Sequence, residues 1–251
     1  MKNLSLLLIV ITVVTYGCKP KTTGSIATGD AASKVYVAPG SYDEFYSVVS
    51  GGFSGQMAIY GIPSGRLFRV IPVFAEDPQS GYGYSEETKP MLMTSHGMVP
   101  WDDLHHIALS TTNGVHDGRW AFGNGNNTPR IARIDMTTFR TAEIIELPNS
   151  SGNHSSPFIT ENTEYTIAGT RFSYPPDYDG ANPDVSISSY KENFKGYLSF
   201  VGVDKESGNM DLSFQIQIPP LNTDLARGGK GPSHDWFFFS CYNSEKAFTL
   251  L

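Results

Sequence analysis

Short runs of β-branched and aromatic residues, separated by glycine, proline, asparagine and aspartate, recur along most of this chain. Two of the runs alternate apolar and polar residues, which is typical of half-buried antiparallel strands. We therefore expect an all-β fold. The predicted strand-forming runs occupy residues 67–74, 106–110, 117–127, 130–135, 141–147, 164–169, 196–204, 210–219 and 236–241.

The runs between residues 106 and 148 form one complete repeat unit of four strands. Asp117-Gly118 is predicted to be its first turn, and Asn124-Gly125 is a dipeptide typical of hairpin turns. A blade of a β-propeller has four strands in about 40–50 residues. The runs after residue 164 repeat this order less clearly, so we expect about three to four blades of a β-propeller. Because so few blades do not close the usual ring, we expect an incomplete propeller in residues 41–251, truncated at Leu251.

The first seventeen residues have the pattern of an export signal. Lys2 precedes an apolar run at 4–14 that is too short to span a bilayer as a helix, and Gly17-Cys18 resembles a bacterial lipoprotein cleavage site. We predict a signal peptide over residues 1–17 and lipidation at Cys18. Residues 18–40 are predicted to form a flexible tether. The expected location is the periplasm, with a lipid anchor in the membrane.

Charge and cysteine content exclude several classes of protein. The formal net charge is -7, and removal of the signal peptide would take away one further positive charge. A chain this acidic is unsuited to nucleic acid as its main partner. There are two cysteines; if Cys18 carries lipid, Cys241 has no partner within the chain and the fold is not held by a disulfide. The glycines at 123 and 125 lack the third glycine and the βαβ context of a dinucleotide site.

The histidines are the candidate chemical groups. His105 and His106 are adjacent, and His154 follows later in the chain. Because neighbouring side chains of a regular strand point to opposite faces, such a pair can hold one metal only from a loop or a strand end, or can reach two metals of a cluster. Asp103 is placed to accept a ring N–H from a histidine ligand. The alternative is two unrelated histidines. The roles of His96 and His234 stay open at this point.

Five segments in this order resemble nitrous oxide reductase, in particular the branch exported by the general secretory route. They are residues 103–106 (DLHH), 117–124 (DGRWAFGN), 130–134 (RIARI), 144–149 (IIELPN) before His154, and 241–247 (CYNSEKA). The resemblance covers about residues 40–251. It implies a seven-bladed propeller with a multicopper–sulfide cluster, followed by a cupredoxin domain with binuclear copper that this chain lacks.

The same resemblance implies roles for individual residues. His105, His106 and His154 would be copper ligands, Asp103 would support them, and Tyr242 and Glu245 would bind calcium. The implied reaction is reduction of nitrous oxide in denitrification, by a homodimer that receives electrons from a periplasmic cytochrome c or cupredoxin. An alternative is a non-catalytic propeller lipoprotein that binds a ligand or partner, because a chain without the cupredoxin domain cannot complete the electron path.

Overall fold

The structure is a computed structural model that describes residues 30–154, 157–171, 195–218 and 222–243; for 222–228 and 241–243 it describes the backbone alone. The predicted signal peptide and Cys18 lie outside these ranges. Helix α1 (Ala31–Lys34) is exposed and falls within the predicted tether, and two 3-10 turns lie at Lys89–Leu92 and Gly231–Ser233. Among the described residues, no helix has the length and apolar character needed to cross a bilayer.

In the described part of the chain, fifteen strands form a series of small antiparallel sheets, each built from strands that follow one another in the chain. The first sheet contains β1 (Phe45–Ser50), β2 (Gln56–Ile62) and β3 (Leu67–Pro72), and a short hairpin follows with β4 (Met93–Thr94) and β5 (Gly97–Met98). The second sheet contains β6 (Leu104–Thr112), β7 (Val115–Gly125), β8 (Arg130–Asp135) and β9 (Arg140–Glu146). The third contains β10 (Phe158–Ile159), β11 (Tyr165–Gly169), β12 (Gly196–Val203) and β13 (Met210–Ile218). The last pair is β14 (Asn222–Gly228) and β15 (Phe237–Asn243).

This order confirms the all-β, propeller-like architecture predicted from the sequence. The second and third sheets are four-stranded antiparallel meanders, as propeller blades are. The second sheet is buried on both faces, because the first sheet packs against one face and the third against the other. Successive side chains of a strand point to opposite sides, so each strand contributes to both faces. On β7, Ala121 packs toward Met57 and Ile59 of the first sheet, whereas Trp120 and Phe122 pack toward the third sheet. The first, second and third sheets therefore stack face to face.

Both turns predicted around β7 were wrong. The β6–β7 turn is Asn113-Gly114, whose φ angles of 52° and 73° are those of a two-residue type I′ hairpin. Asp117-Gly118 lies inside β7, where Gly118 has a φ of 71° and the pairing with β6 is irregular. Asn124-Gly125 ends β7, and the connection to β8 follows it.

Candidate metal centre

His105 and His106 lie at an irregularity near the start of β6. Leu104 pairs with Gly125 and Ile107 pairs with Gly123, so β6 has one more residue than β7 between these two pairs. Such a β-bulge interrupts the alternation of side chains. Adjacent residues can then serve the same site, which a regular strand does not allow.

His154 comes from the connection between β9 and β10 and meets the pair at the bulge. The ring centroid of His154 lies 4.3 Å from that of His105 and 5.2 Å from that of His106, and the two adjacent rings are 4.6 Å apart. One ligand nitrogen from each ring lies within 4.8 Å of the others. His105 and His154 are half-buried and His106 is exposed. The structure therefore brings together the three histidines predicted as copper ligands.

This arrangement fits transition-metal binding. Two nitrogens bound to one ion lie at most about 4.2 Å apart, because each metal–nitrogen bond measures roughly 2.1 Å. The limit of 4.8 Å between the three nitrogens is slightly wider. A small inward movement of the three nitrogens would therefore seat one ion. Imidazole suits copper, zinc, iron and nickel, so the donor set alone does not select the metal.

The Asp103 side chain is buried and lies beside His105. Its Oδ2 lies 3.3 Å from Nδ1 of His105 and accepts a hydrogen bond of 2.9 Å from the Asn126 side chain. The Asp103 side chain is 2% exposed, and its Oδ1 has no hydrogen-bond partner among the residues that the structure describes. A carboxylate at Nδ1 of His105 fixes the tautomer that leaves Nε2 free to bind a metal. The geometry agrees with the role predicted for Asp103, which itself stays a prediction.

Asn124, whose side chain is fully buried, is a residue that the sequence did not identify as part of the site. Its Oδ1 accepts a hydrogen bond of 3.0 Å from the backbone N–H of His106, and its Nδ2 donates to the carbonyl of Asn153. Asn126 was missed in the same way. Both follow the Trp-Ala-Phe run of β7, but nothing in the sequence indicates that they turn toward residues 103, 106 and 153.

The other histidines lie elsewhere. His96 is exposed in the turn of the β4–β5 hairpin, and His116 is exposed near the start of β7. Nδ1 of His234 lies within hydrogen-bond distance, 2.9 Å, of a carboxylate oxygen of Glu161. For the predicted calcium site, Tyr242 belongs to β15, and Glu245 lies outside the described residues. The calcium site therefore stays a prediction.

Three bacterial proteins are similar in sequence to this chain over most of its length. It is 31% identical over 237 residues to nitrous-oxide reductase of Pseudomonas fluorescens, which is 93% of this chain and 35% of that protein. The values for the Stutzerimonas stutzeri enzyme are 30% identity over 227 residues, 89% of this chain and 33% of that enzyme. The Ralstonia nicotianae enzyme is 35% identical over 218 residues, which is 81% of this chain and 32% of that enzyme. The chain thus spans about a third of the length of the curated relatives it matches.

Two further comparisons complete this picture. No protein-family model matches the chain. Among solved structures, hydrazine synthase of Kuenenia stuttgartiensis has a TM-score of 0.50 at 13% identity, covering 82% of this chain and 51% of that one. At this identity the likeness concerns the fold alone.

Proposed function

Because this chain belongs to the nitrous-oxide reductase family over about a third of that enzyme's length, we propose that it supplies part of a copper site for the reduction of nitrous oxide. The reaction converts N2O, two protons and two electrons into N2 and water. Nitrous oxide is the proposed substrate, and denitrification is the proposed context. The activity belongs to the complete protein.

The observation that carries this proposal is the convergence of three imidazoles at a β-bulge. His105, His106 and His154 place ligand nitrogens within 4.8 Å of one another, although two different segments of the chain supply them. Metal binding explains why ring nitrogens from two segments converge, because neutral imidazole is a common ligand of transition metals. If His105 and His106 had no common role, no convergence with His154 would be expected.

The residues of this chain would act mainly by holding and orienting. Copper, when bound, would supply a Lewis-acidic centre and electrons for a substrate that is otherwise a poor ligand. The three imidazoles would hold it, and Asp103 would accept the Nδ1–H of His105 and so keep its Nε2 directed at the metal. Ser50 donates a hydrogen bond of 2.7 Å to the His105 carbonyl, which also fixes the backbone at the bulge to the end of β1.

Other parts of the proposal are supported by the family relationship and by sequence motifs. They are a calcium site that includes Tyr242 and Glu245, a homodimer, and electron delivery by a periplasmic cytochrome c or cupredoxin. Export, with a lipid at Cys18, is proposed from the apolar run and Gly17-Cys18. Mass spectrometry of the mature N-terminus tests the last point, since a terminus that begins after residue 18 would rule out the lipid.

The test of the main proposal is copper content. The complete protein is purified without oxygen as wild type and as His105→Ala, His106→Ala and His154→Ala variants, and copper per protein and nitrous oxide turnover are measured. We expect each variant as purified to lose activity and to contain much less copper than wild type, with weaker binding of the copper that remains, because ligands shared in a cluster act together. His116→Ala, an exposed histidine on the same sheet, is the matched control and should behave as wild type. Wild-type copper in the site variants would overturn the proposal, and a copper-free wild type would favour a non-catalytic binding protein.

A further inference from the structure

We infer that Asn124 is a positioning residue that sets the distance between the His105–His106 bulge and His154. The inference rests on the proposed metal site and adds to it a group that binds no metal. Its basis is that one buried side chain forms hydrogen bonds with both segments that carry the histidines.

The first of these hydrogen bonds replaces a backbone hydrogen bond that is missing at the bulge. Asn124 lies on β7 between Gly123, which pairs with Ile107, and Gly125, which pairs with Leu104. It therefore faces the extra residue of β6, where the backbone ladder is interrupted. The Oδ1 of Asn124 accepts the N–H of His106 at 3.0 Å, in place of a backbone carbonyl. This bond fixes the backbone of the residue that carries one of the three imidazoles.

The second bond reaches the other segment. The Nδ2 of Asn124 donates to the carbonyl of Asn153, and the N–H of Asn153 donates at 3.1 Å to the carbonyl of Gly125. The residue before His154 is thus held to the end of β7 from both of its backbone groups. Asn124 is 0% exposed and Asn153 is 1% exposed. Water therefore does not compete for these bonds, and breaking one leaves a buried polar group unpaired.

Only an amide of this length meets both requirements. The amide has an acceptor and a donor at a fixed separation, whereas a carboxylate has acceptors alone. In Asn124→Asp the bond from the His106 N–H is retained, but an oxygen would face the Asn153 carbonyl and repel it. The substitution should therefore release the His154 segment and leave the bulge in place.

The experiment measures copper affinity in the complete protein. Metal-free wild type, Asn124→Asp, His154→Ala and the double variant are titrated anaerobically with Cu(I) against a chromophoric chelator. We expect Asn124→Asp to weaken copper binding by roughly 10–100-fold, the range for lost supporting partners of ligands. In the His154→Ala background the same substitution should have little further effect, because it acts through His154. Pulsed EPR of the Cu(II)-loaded Asn124→Asp protein should show one coordinated imidazole fewer.

A control separates positioning from general stability. Thr111 is a buried residue at the other end of β6, and its hydroxyl donates to the carbonyls of Thr160 and Glu161. Thr111→Val removes buried hydrogen bonds between β6 and the β10–β11 turn, at the end of β6 opposite the His105–His106 bulge. It should lower the melting temperature and leave copper affinity unchanged. If Asn124→Asp is recovered unfolded, the uncharged and smaller Asn124→Ser takes its place, with the same loss of affinity expected.

Two results would overturn the inference. Wild-type copper affinity and imidazole count in a folded Asn124 variant would show that the residue is merely structural. Fully additive losses in the double variant would show that it does not act through His154. If the histidine variants themselves bind copper as wild type does, the proposed function fails first and the inference with it.

Discussion

Arg130 and Asp102 form an ion pair in the interior of the second sheet, with Nη2 of Arg130 3.7 Å from Oδ2 of Asp102 and neither side chain exposed. Asp102 also accepts the backbone N–H groups of Asn127 and Thr128, at 3.0 Å each. Burial lowers the pKa of Arg130, and the charge of Asp102 opposes this effect. The pair thus holds the loop from which Asn126 reaches Asp103.

Removing one member of this pair should be costly. We expect Asp102→Asn or Arg130→Met to destabilise the fold by roughly 3–5 kcal/mol, because each leaves a buried charge without its partner. The measurement is denaturant-induced unfolding followed by tryptophan fluorescence. Lys34→Ala is the control, since its pair with Asp30 has side chains 70% and 74% exposed and its loss should have little effect on stability. Equal small losses in both pairs would contradict the prediction.

Asp103→Asn should weaken the metal site without unfolding the protein. An amide can no longer accept the His105 Nδ1–H as a charged partner, so copper affinity should fall roughly 10–100-fold. Copper per protein after dialysis against a chelator measures this loss. Asp135→Asn, which alters a turn on the same sheet, should retain its copper. An Asp103→Asn protein with undiminished copper would show that this carboxylate does not support the site.

Asp117 should make the stability of the fold depend on pH in the acidic range. Burial raises the pKa of Asp117, but hydrogen bonds from Ser110, Thr112 and Arg119 outweigh it, so the pKa lies below its ordinary 3.8. A lowered pKa contributes stability that is complete above pH 3.8 and is lost as the pH falls through the folded-state value. Asp117→Asn should therefore cost about 1–2 kcal/mol at pH 7, and the difference from wild type should shrink below about pH 4. Urea unfolding at several pH values measures this difference, and a constant gap would be the contrary result.

The outer face of the first sheet should promote association when these 251 residues are produced alone. Cross-strand pairing places six exposed apolar side chains on this face, namely Phe45, Val49, Tyr60, Ile62, Leu67 and Val70. Contiguous exposed apolar surface of this kind drives protein association. Ile62→Thr with Val70→Thr should therefore raise the monomer fraction in size-exclusion chromatography with light scattering. Arg69→Thr on the same strand is the control. A parent chain that is already monomeric would contradict the expectation.

The sequence predicted strand positions well where alternation was clear and turns poorly where side chains replaced backbone contacts. The prediction of 130–135 as a strand agrees with β8 at both ends. The Asp117-Gly118 prediction failed because the Asp117 carboxylate bonds across the sheet to Ser110 and Thr112, so the positive φ of Gly118 is accommodated within the strand. Strands β1 and β2 were missed, because neither FYSVVS nor QMAIYGI alternates apolar and polar residues.

The site could be anticipated only in part. Adjacent histidines predicted a departure from regular strand geometry, and the bulge at His105–His106 is that departure. Asn124 could not be anticipated, because its partners lie 18 and 29 positions away in the chain. Such contacts arise from the stacking of sheets, which local residue patterns do not encode.

The three histidines belong to two neighbouring parts of the fold: two are on the second sheet, and one is on the connection to the third. A metal held by all three would therefore act as a crosslink, closing the chain segment between residues 106 and 154 into a ring. Its binding free energy would add to the cohesion of the two sheets. Slowed amide hydrogen exchange in β9 and β10 would then report metal occupancy, even though neither strand carries a ligand.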